Sequence, residues 1–164
     1  MSIAVIYGST TGMTAEVAAN TASALGAECL NVAEVSADTL AGFDALVLGS
    51  STWGAGDLQD DWEANIGVLE GASLAGKKVA VFGTGDSLGF ADTFCDAMAR
   101  LRDAAAAAGA TIVGAGPVEG YDGIASRVVE NGRFIGLPLD VTNQPELTDT
   151  RVAAWVGKLK TELA

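Results

Sequence analysis

Ser9, Thr10, Thr11 and Thr14, with Gly12 and Met13 among them, put four hydroxyls into six consecutive positions. The run follows an apolar stretch, Ile3 to Tyr7, and opens a helical one. At a helix N-terminus the backbone N–H groups point outward and carry positive partial charge, so the place suits an anion. Gly12 relieves the turn and lets the backbone come close to a ligand. No Lys or Arg stands in the loop. That excludes the phosphate loop built around a lysine that reaches the outer phosphates. A single terminal phosphate held by neutral donors fits these residues, and so does a Ser/Thr-rich turn that only caps the helix.

Two further loops carry an aromatic among small residues. Ser51, Thr52, Trp53, Gly54, Ala55 and Gly56 follow one apolar run, and Thr84, Gly85, Asp86, Gly89, Phe90 and Thr93 follow another. Trp53 and Phe90 on separate loops could enclose one planar ring system; packing between loops is the plainer use of each.

Composition removes other chemistries. The 164 residues contain no histidine, so there is no His general base, His metal ligand or Ser–His or Cys–His dyad. Nine Lys and Arg against 21 Asp and Glu leave a net charge of -12. Nucleic acid and anionic membranes need a positive footprint, so neither is an expected partner. A partner with a basic face is compatible with this charge, and so is a merely solubilising acidic surface. Cys29 and Cys95 stand too far apart for a metal motif or a disulfide framework, and two buried thiols in a reducing cytosol are expected. No apolar run approaches the roughly 20 residues of a membrane span. Met1 to Val5 contains no basic leader, so a cytoplasmic protein is expected.

The elements that must position these loops alternate. Strands are expected at Ile3–Tyr7, Glu28–Val32, Ala45–Leu48, Lys78–Phe82 and Ala110–Val113. Helices are expected from Thr14 to Leu25, over Ala37–Ala41, around Trp62, Ile66 and Leu69, from Phe94 to Ala108, and along Val152, Trp155, Val156, Leu159 and Leu163. Alternation of this kind means a parallel sheet covered on both faces, an α/β fold. Five strands match a doubly wound, three-layer αβα sandwich. The length allows one domain, residues 1–164. In such sheets a ligand sits at the carboxyl ends of the strands, near the point where strand order reverses. The loops after strands one, three and four, all rich in Gly, Ser and Thr, are the candidates.

These loops resemble those of flavodoxins, small electron carriers that bind FMN, and the resemblance runs over essentially the whole chain. It rests on Ser9–Thr14 as a phosphate loop, Thr52-Trp53-Gly54 as a first flavin loop and Gly83-Thr84-Gly85-Asp86 as the start of a second. Gly56 to Trp62, Gly136 to Asp140 and Asn143 to Thr148 are similar to the family as well. The segment from about Gly120 to Gly136 resembles the insertion that splits the fifth strand in the long-chain subgroup. Phe90 stands where the family usually has Tyr, and Thr93 and Thr142 replace longer polar side chains.

The resemblance implies a low-potential one-electron carrier, cycling between semiquinone and hydroquinone, with no substrate of its own. The Gly54–Ala55 peptide would flip on the first reduction. Asp57, Asp60, Asp61, Asp86 and Asp92 would then oppose the second electron. One carboxylate about 8 Å away contributes roughly 2 kcal/mol at an effective dielectric near 20, before screening. A monomer serving redox proteins with basic docking faces is implied, a ferredoxin/flavodoxin-type reductase or an oxidoreductase.

Three other readings are weaker on the residues. Gly85-Asp86-Ser87-Leu88-Gly89 matches a serine-hydrolase elbow, but no base is available for Ser87. A phospho-receiver domain needs acidic residues where Gly8-Ser9 and Ser50-Ser51 stand. A quinone or azo-dye reductase on the same fold would need a substrate pocket, and no basic cluster for a nicotinamide phosphate is visible.

Overall fold

The computed structural model describes residues 2–8, 12–53, 57–90, 92–117, 121 and 126–163, together with the backbone but not the side chain of Trp53. Among the predicted site residues, Ser9, Thr10, Thr11, Gly54, Ala55 and Gly56 lie outside the described residues.

The strands are β1 (Ile3–Gly8), β2 (Glu28–Asn31), β3 (Ala45–Trp53), β4 (Asp57–Leu58), β5 (Lys78–Gly85), β6 (Thr111–Ile112), β7 (Gly116–Pro117), β8 (Val129–Glu130), β9 (Arg133–Phe134) and β10 (Leu137–Asp140). The helices are α1 (Met13–Leu25), α2 (Ala37–Ala41), α3 (Asp60–Glu70), α4 (Ala97–Ala107) and α5 (Thr148–Leu163). The main sheet runs β2-β1-β3-β5-β10, all parallel, with β6 also on β5 and the short antiparallel β4 on the end of β3.

Alternation along each strand divides the core into two layers. Ala4, Ile6, Leu46, Leu48, Val79 and Val81 face α3 and α4, meeting Trp62, Leu69, Met98 and Leu101. Val5, Val47, Ala80 and Phe82 face α1 and α5, meeting Val17, Ala18, Trp155 and Leu159. Because both faces are buried, the strands read as continuous apolar runs rather than alternating ones. This is the expected three-layer α/β sandwich, with strand order reversing between β1 and β3.

Several boundaries differ from expectation. β3 and β5 continue through Trp53 and Gly85, because pairing along Ser50–Gly83 and Ser51–Thr84 carries the ladder into the small residues. β2 stops at Asn31, whose side chain accepts from Ala33 N and caps a short 3-10 turn over Val32–Glu34. α4 begins at Ala97, not Phe94. Cys95 has φ 55, which no helical residue adopts, so residues 92–96 form turns. Cys29 is exposed rather than buried, since β2 is the sheet edge; Cys95 is buried as expected.

The fifth strand comes in two pieces. β6 pairs with the start of β5 and β10 with its end, Leu137 opposite Phe82 and Asp140 opposite Gly85. The chain leaves the sheet after Ile112, earlier than the predicted insertion at 120–136. Between the pieces β7, β9 and β8 form a small antiparallel sheet. Its β8–β9 turn is Asn131-Gly132, both with positive φ, the pair that a two-residue hairpin with right-handed twist requires.

Among the described residues, no helix is long and apolar enough to cross a membrane.

Candidate functional site

The carboxyl ends of β1, β3 and β5 stand side by side, Gly8 opposite Ser50 and Ser50 opposite Gly83. Above them opens a cavity of about 440 Å³, within the roughly 300–1,000 Å³ of small-molecule sites. Met13, Ser51, Thr52, Thr84, Gly85, Asp86, Phe90 and Thr93 line it, so the structure brings together eight of the predicted site residues.

α1 starts at the cavity edge. Gly12 is its N-cap residue with φ 89, a left-handed conformation that glycine adopts without strain. Gly12 has no side chain to cap this end, and a helix N-terminus presents backbone N–H groups to what precedes it. Thr14, buried in that turn, shares a hydrogen bond with Thr84 of β5 at 3.2 Å. The contact ties the helix mouth to the cavity floor.

The β3 side is fixed from below. The Trp62 indole N–H donates to the Gly49 carbonyl at 2.7 Å, and the Gln59 N–H donates to Ser50 Oγ at 3.2 Å. Thr52 accepts from Ala97 N at 3.2 Å, which places α4 against the end of β3. Trp53 closes β3, opposite Asp57 of β4.

The loop after β5 is held by carboxylates. Asp86 accepts from the backbone N–H groups of Gly89 at 2.8 Å and Leu88 at 3.1 Å, and from Asn143 Nδ2 at 2.7 Å. The Gly89 bond foremost, with Asn143, holds its carboxyl below the usual range. Gly89 therefore serves the turn and is not part of the cavity wall. The turn leaves Phe90 exposed at 56%.

Asp140, at the end of β10, is 1% exposed. It accepts from the Ser87 hydroxyl and N–H, and from the N–H groups of Thr142 and Asn143 at 3.2 and 2.8 Å. Burial alone would raise its pKa; these donors outweigh burial and keep it below the ordinary value. Ser87 thus gives its proton to a carboxylate held ionised, and the elbow motif is a structural tether, not a nucleophile.

Phe94, Cys95, Val141 and Thr142 also line the cavity. Of these only Thr142 was singled out in the sequence. Cys95 reaches the wall through its left-handed backbone, which no spacing rule signals. Burial pushes its thiol well above the usual value, so it is a neutral thiol and not a nucleophile.

Residues 5–155 match the flavodoxin family model. The chain belongs to the flavodoxin family. It is 40% identical over 164 residues to the flavodoxin of Synechococcus elongatus, covering 98% of this chain and 96% of that one. It is 43% identical over 162 residues to the flavodoxin of a Picosynechococcus species, covering 96% and 95%. Among solved structures, a Fusobacterium nucleatum flavodoxin bound to flavin mononucleotide superposes with a TM-score of 0.92 at 30% identity, covering 99% of each chain. Flavodoxins are electron-transfer proteins rather than enzymes with a substrate of their own.

Proposed function

We propose that this flavodoxin-family chain binds FMN at the carboxyl ends of β1, β3 and β5 and carries single electrons at low potential. In this reading FMN moves between its half-reduced and fully reduced forms. What carries the reading is the cavity itself: neutral hydroxyls, a helix start at its edge and an exposed aromatic ring, with Asp86 the one ionised residue among the described lining.

Each part has a role. Ser9, Thr10, Thr11, Gly12, Met13 and Thr14 hold the terminal phosphate, the α1 dipole and the N–H groups replacing a lysine. Trp53 and Phe90 cover the two ring faces and exclude water. Ser51, Thr52, Gly54, Ala55 and Gly56 line one ring edge, where a Gly54 peptide can turn over cheaply. Thr84, Gly85, Asp86 and Thr93 bound the other, and Gly89 holds the turn that carries Phe90. When bound, FMN supplies two one-electron steps. The protein separates them through Asp57 of β4, Asp60 and Asp61 in the first turn of α3, and Asp86 and Asp92 after β5, whose charge opposes added negative charge.

The same acidic loops steer the site toward redox proteins with basic faces, a ferredoxin/flavodoxin-type reductase or an oxidoreductase, through brief, small interfaces. The chain works as a single-domain cytoplasmic monomer. Reconstitution with FMN tests the reading. A yellow protein, reduced in two separable one-electron steps and inert toward NAD(P)H without an added reductase, is expected. A chain that stays colourless after incubation with FMN would refute it, and direct NAD(P)H oxidation would favour a flavin reductase.

A further inference from the structure

A second cavity, of about 190 Å³, lies on the far side of β10, between α5 and the segment that interrupts the fifth strand. Its walls are mostly apolar: Pro117, Phe134, Leu137, Pro138 and Trp155. Two cations share them. Arg151 and Lys158 stand at i and i+7 on α5, on the same stripe as Ala154 and Trp155.

Neither cation meets a carboxylate among the described residues, although the chain has 21 acids for nine bases. Lys158 donates to the Ala115 carbonyl. Arg151 donates from Nη1 to the Tyr121 hydroxyl at 2.9 Å, and its guanidinium lies 4.4 Å from the centre of that ring. Burial, foremost, pushes the Tyr121 hydroxyl up to about 12, so Tyr121 stays neutral and leaves Arg151 its full charge. Both cations are half-buried, and holding charge against an apolar wall costs free energy until an anion shares it.

We infer that this cavity is a binding site for a small organic carboxylate, one ring or a short alkyl chain bearing a single carboxylate. The apolar part fits among Phe134, Leu137, Pro138 and Trp155, and the carboxylate reaches Arg151 and Lys158. Arg151 spends one of five N–H donors on Tyr121, so a fork remains for two parallel bonds to a carboxylate. The volume falls below the common range for drug-sized ligands, which limits the occupant to about ten heavy atoms. A ligand of that size binds with a Kd on the order of 0.1–1 mM. The site is separate from the proposed flavin cavity and does not depend on it.

Titrating the flavin-loaded protein with 3-phenylpropionate, followed by the Trp155 indole N–H resonance, tests the inference. That N–H is fixed on the Gly114 carbonyl at 2.8 Å, so its shift reports the cavity. The resonance is expected to move saturably. 3-Phenylpropan-1-ol, the same shape without charge, should bind about tenfold more weakly, the loss of one charge-assisted contact. Lys158→Gln should weaken the acid by several-fold and leave the alcohol unchanged. Arg151→Gln should do the same or more; Lys158→Gln is the cleaner variant, since Lys158 does not touch Tyr121. No saturable shift up to about 10 mM, equal affinity for acid and alcohol, or an acid affinity indifferent to Lys158→Gln would each overturn it.

Discussion

Two of the cavities among the described residues are electrostatic opposites. The larger, above β1, β3 and β5, is lined by neutral hydroxyls with Asp86 as its ionised group. The smaller, between α5 and the interrupted fifth strand, is apolar with Arg151 and Lys158 as its ionised groups. On the readings proposed above, one acidic chain would handle two anions differently. In the proposed reading, a phosphate at the first would be held by neutral dipoles while fixed negative charge would resist a further electron. Around the second, Arg151 and Lys158, which meet no carboxylate among the described residues, would welcome negative charge. β10 separates them: Asp140 serves the first cavity through its side chain, while Leu137 and Pro138 wall the second.

That division is most easily broken at Asp140. Asp140→Ala leaves the Ser87 hydroxyl and three backbone N–H groups without their buried acceptor. The expected cost is about 2–4 kcal/mol, a Tm lowered by on the order of 10 °C, with weaker FMN binding as the 86–90 loop loosens. Calorimetry and a flavin-fluorescence titration measure both. The second cavity should keep its affinity for 3-phenylpropionate; losing it would mean that β10 joins the cavities rather than dividing them.

How far this contrast was legible in the sequence depends on range. The sandwich, the Gly12 turn and the gathering of Thr84, Asp86, Phe90 and Thr93 with Met13 were readable, since each follows from local pattern and the strand-end rule. The stripe of α5 was readable too, but nothing local marks Arg151 and Lys158 as cavity residues. Their cavity exists only because β7, β9 and Tyr121 fold back over them, a long-range fact. Asn131-Gly132 is a local hairpin signal inside the expected insertion, which the sequence reading assigned no internal structure. Asp140 was legible only as the end of the family-like run from Gly136; its tie to Ser87, 53 positions away, was not.

Salt sharpens the comparison next. Electron transfer with a basic reductase should slow several-fold as ionic strength rises from about 0.01 to 0.5 M, because the acidic loops act over a Debye length that salt shortens. Stopped-flow rates indifferent to salt would remove the steering role of Asp57, Asp60 and Asp92.

Acid should act on the first cavity before the second. The carboxyls of Asp86 and Asp140 titrate below their ordinary values in the folded chain. The unfolded chain therefore binds their protons first as pH falls, so their stabilisation is complete above the unfolded value, about 4, and is lost as pH drops through the folded values. Tm should fall steadily below about pH 4, and less steeply in Asp86→Asn, which keeps an acceptor for Gly89 but has no proton to gain.

Tyr121→Phe is the smallest change and the finest probe of the boundary. The ring packs on Phe94, which lines the first cavity, at 5.2 Å, and edge-on to Phe134, which lines the second, at 5.4 Å. The hydroxyl donates to the Pro138 carbonyl at 2.8 Å and accepts from Arg151 and from Asp140 N. Removing it keeps both ring contacts and should cost about 1 kcal/mol, a few degrees of Tm. Arg151, released from the phenol, should bind 3-phenylpropionate up to a few-fold more tightly, with FMN affinity unchanged within about twofold. An FMN shift of tenfold or more would make the Tyr121–Phe94 contact a coupling between the cavities, and binding at one would then have to change binding at the other by the same factor.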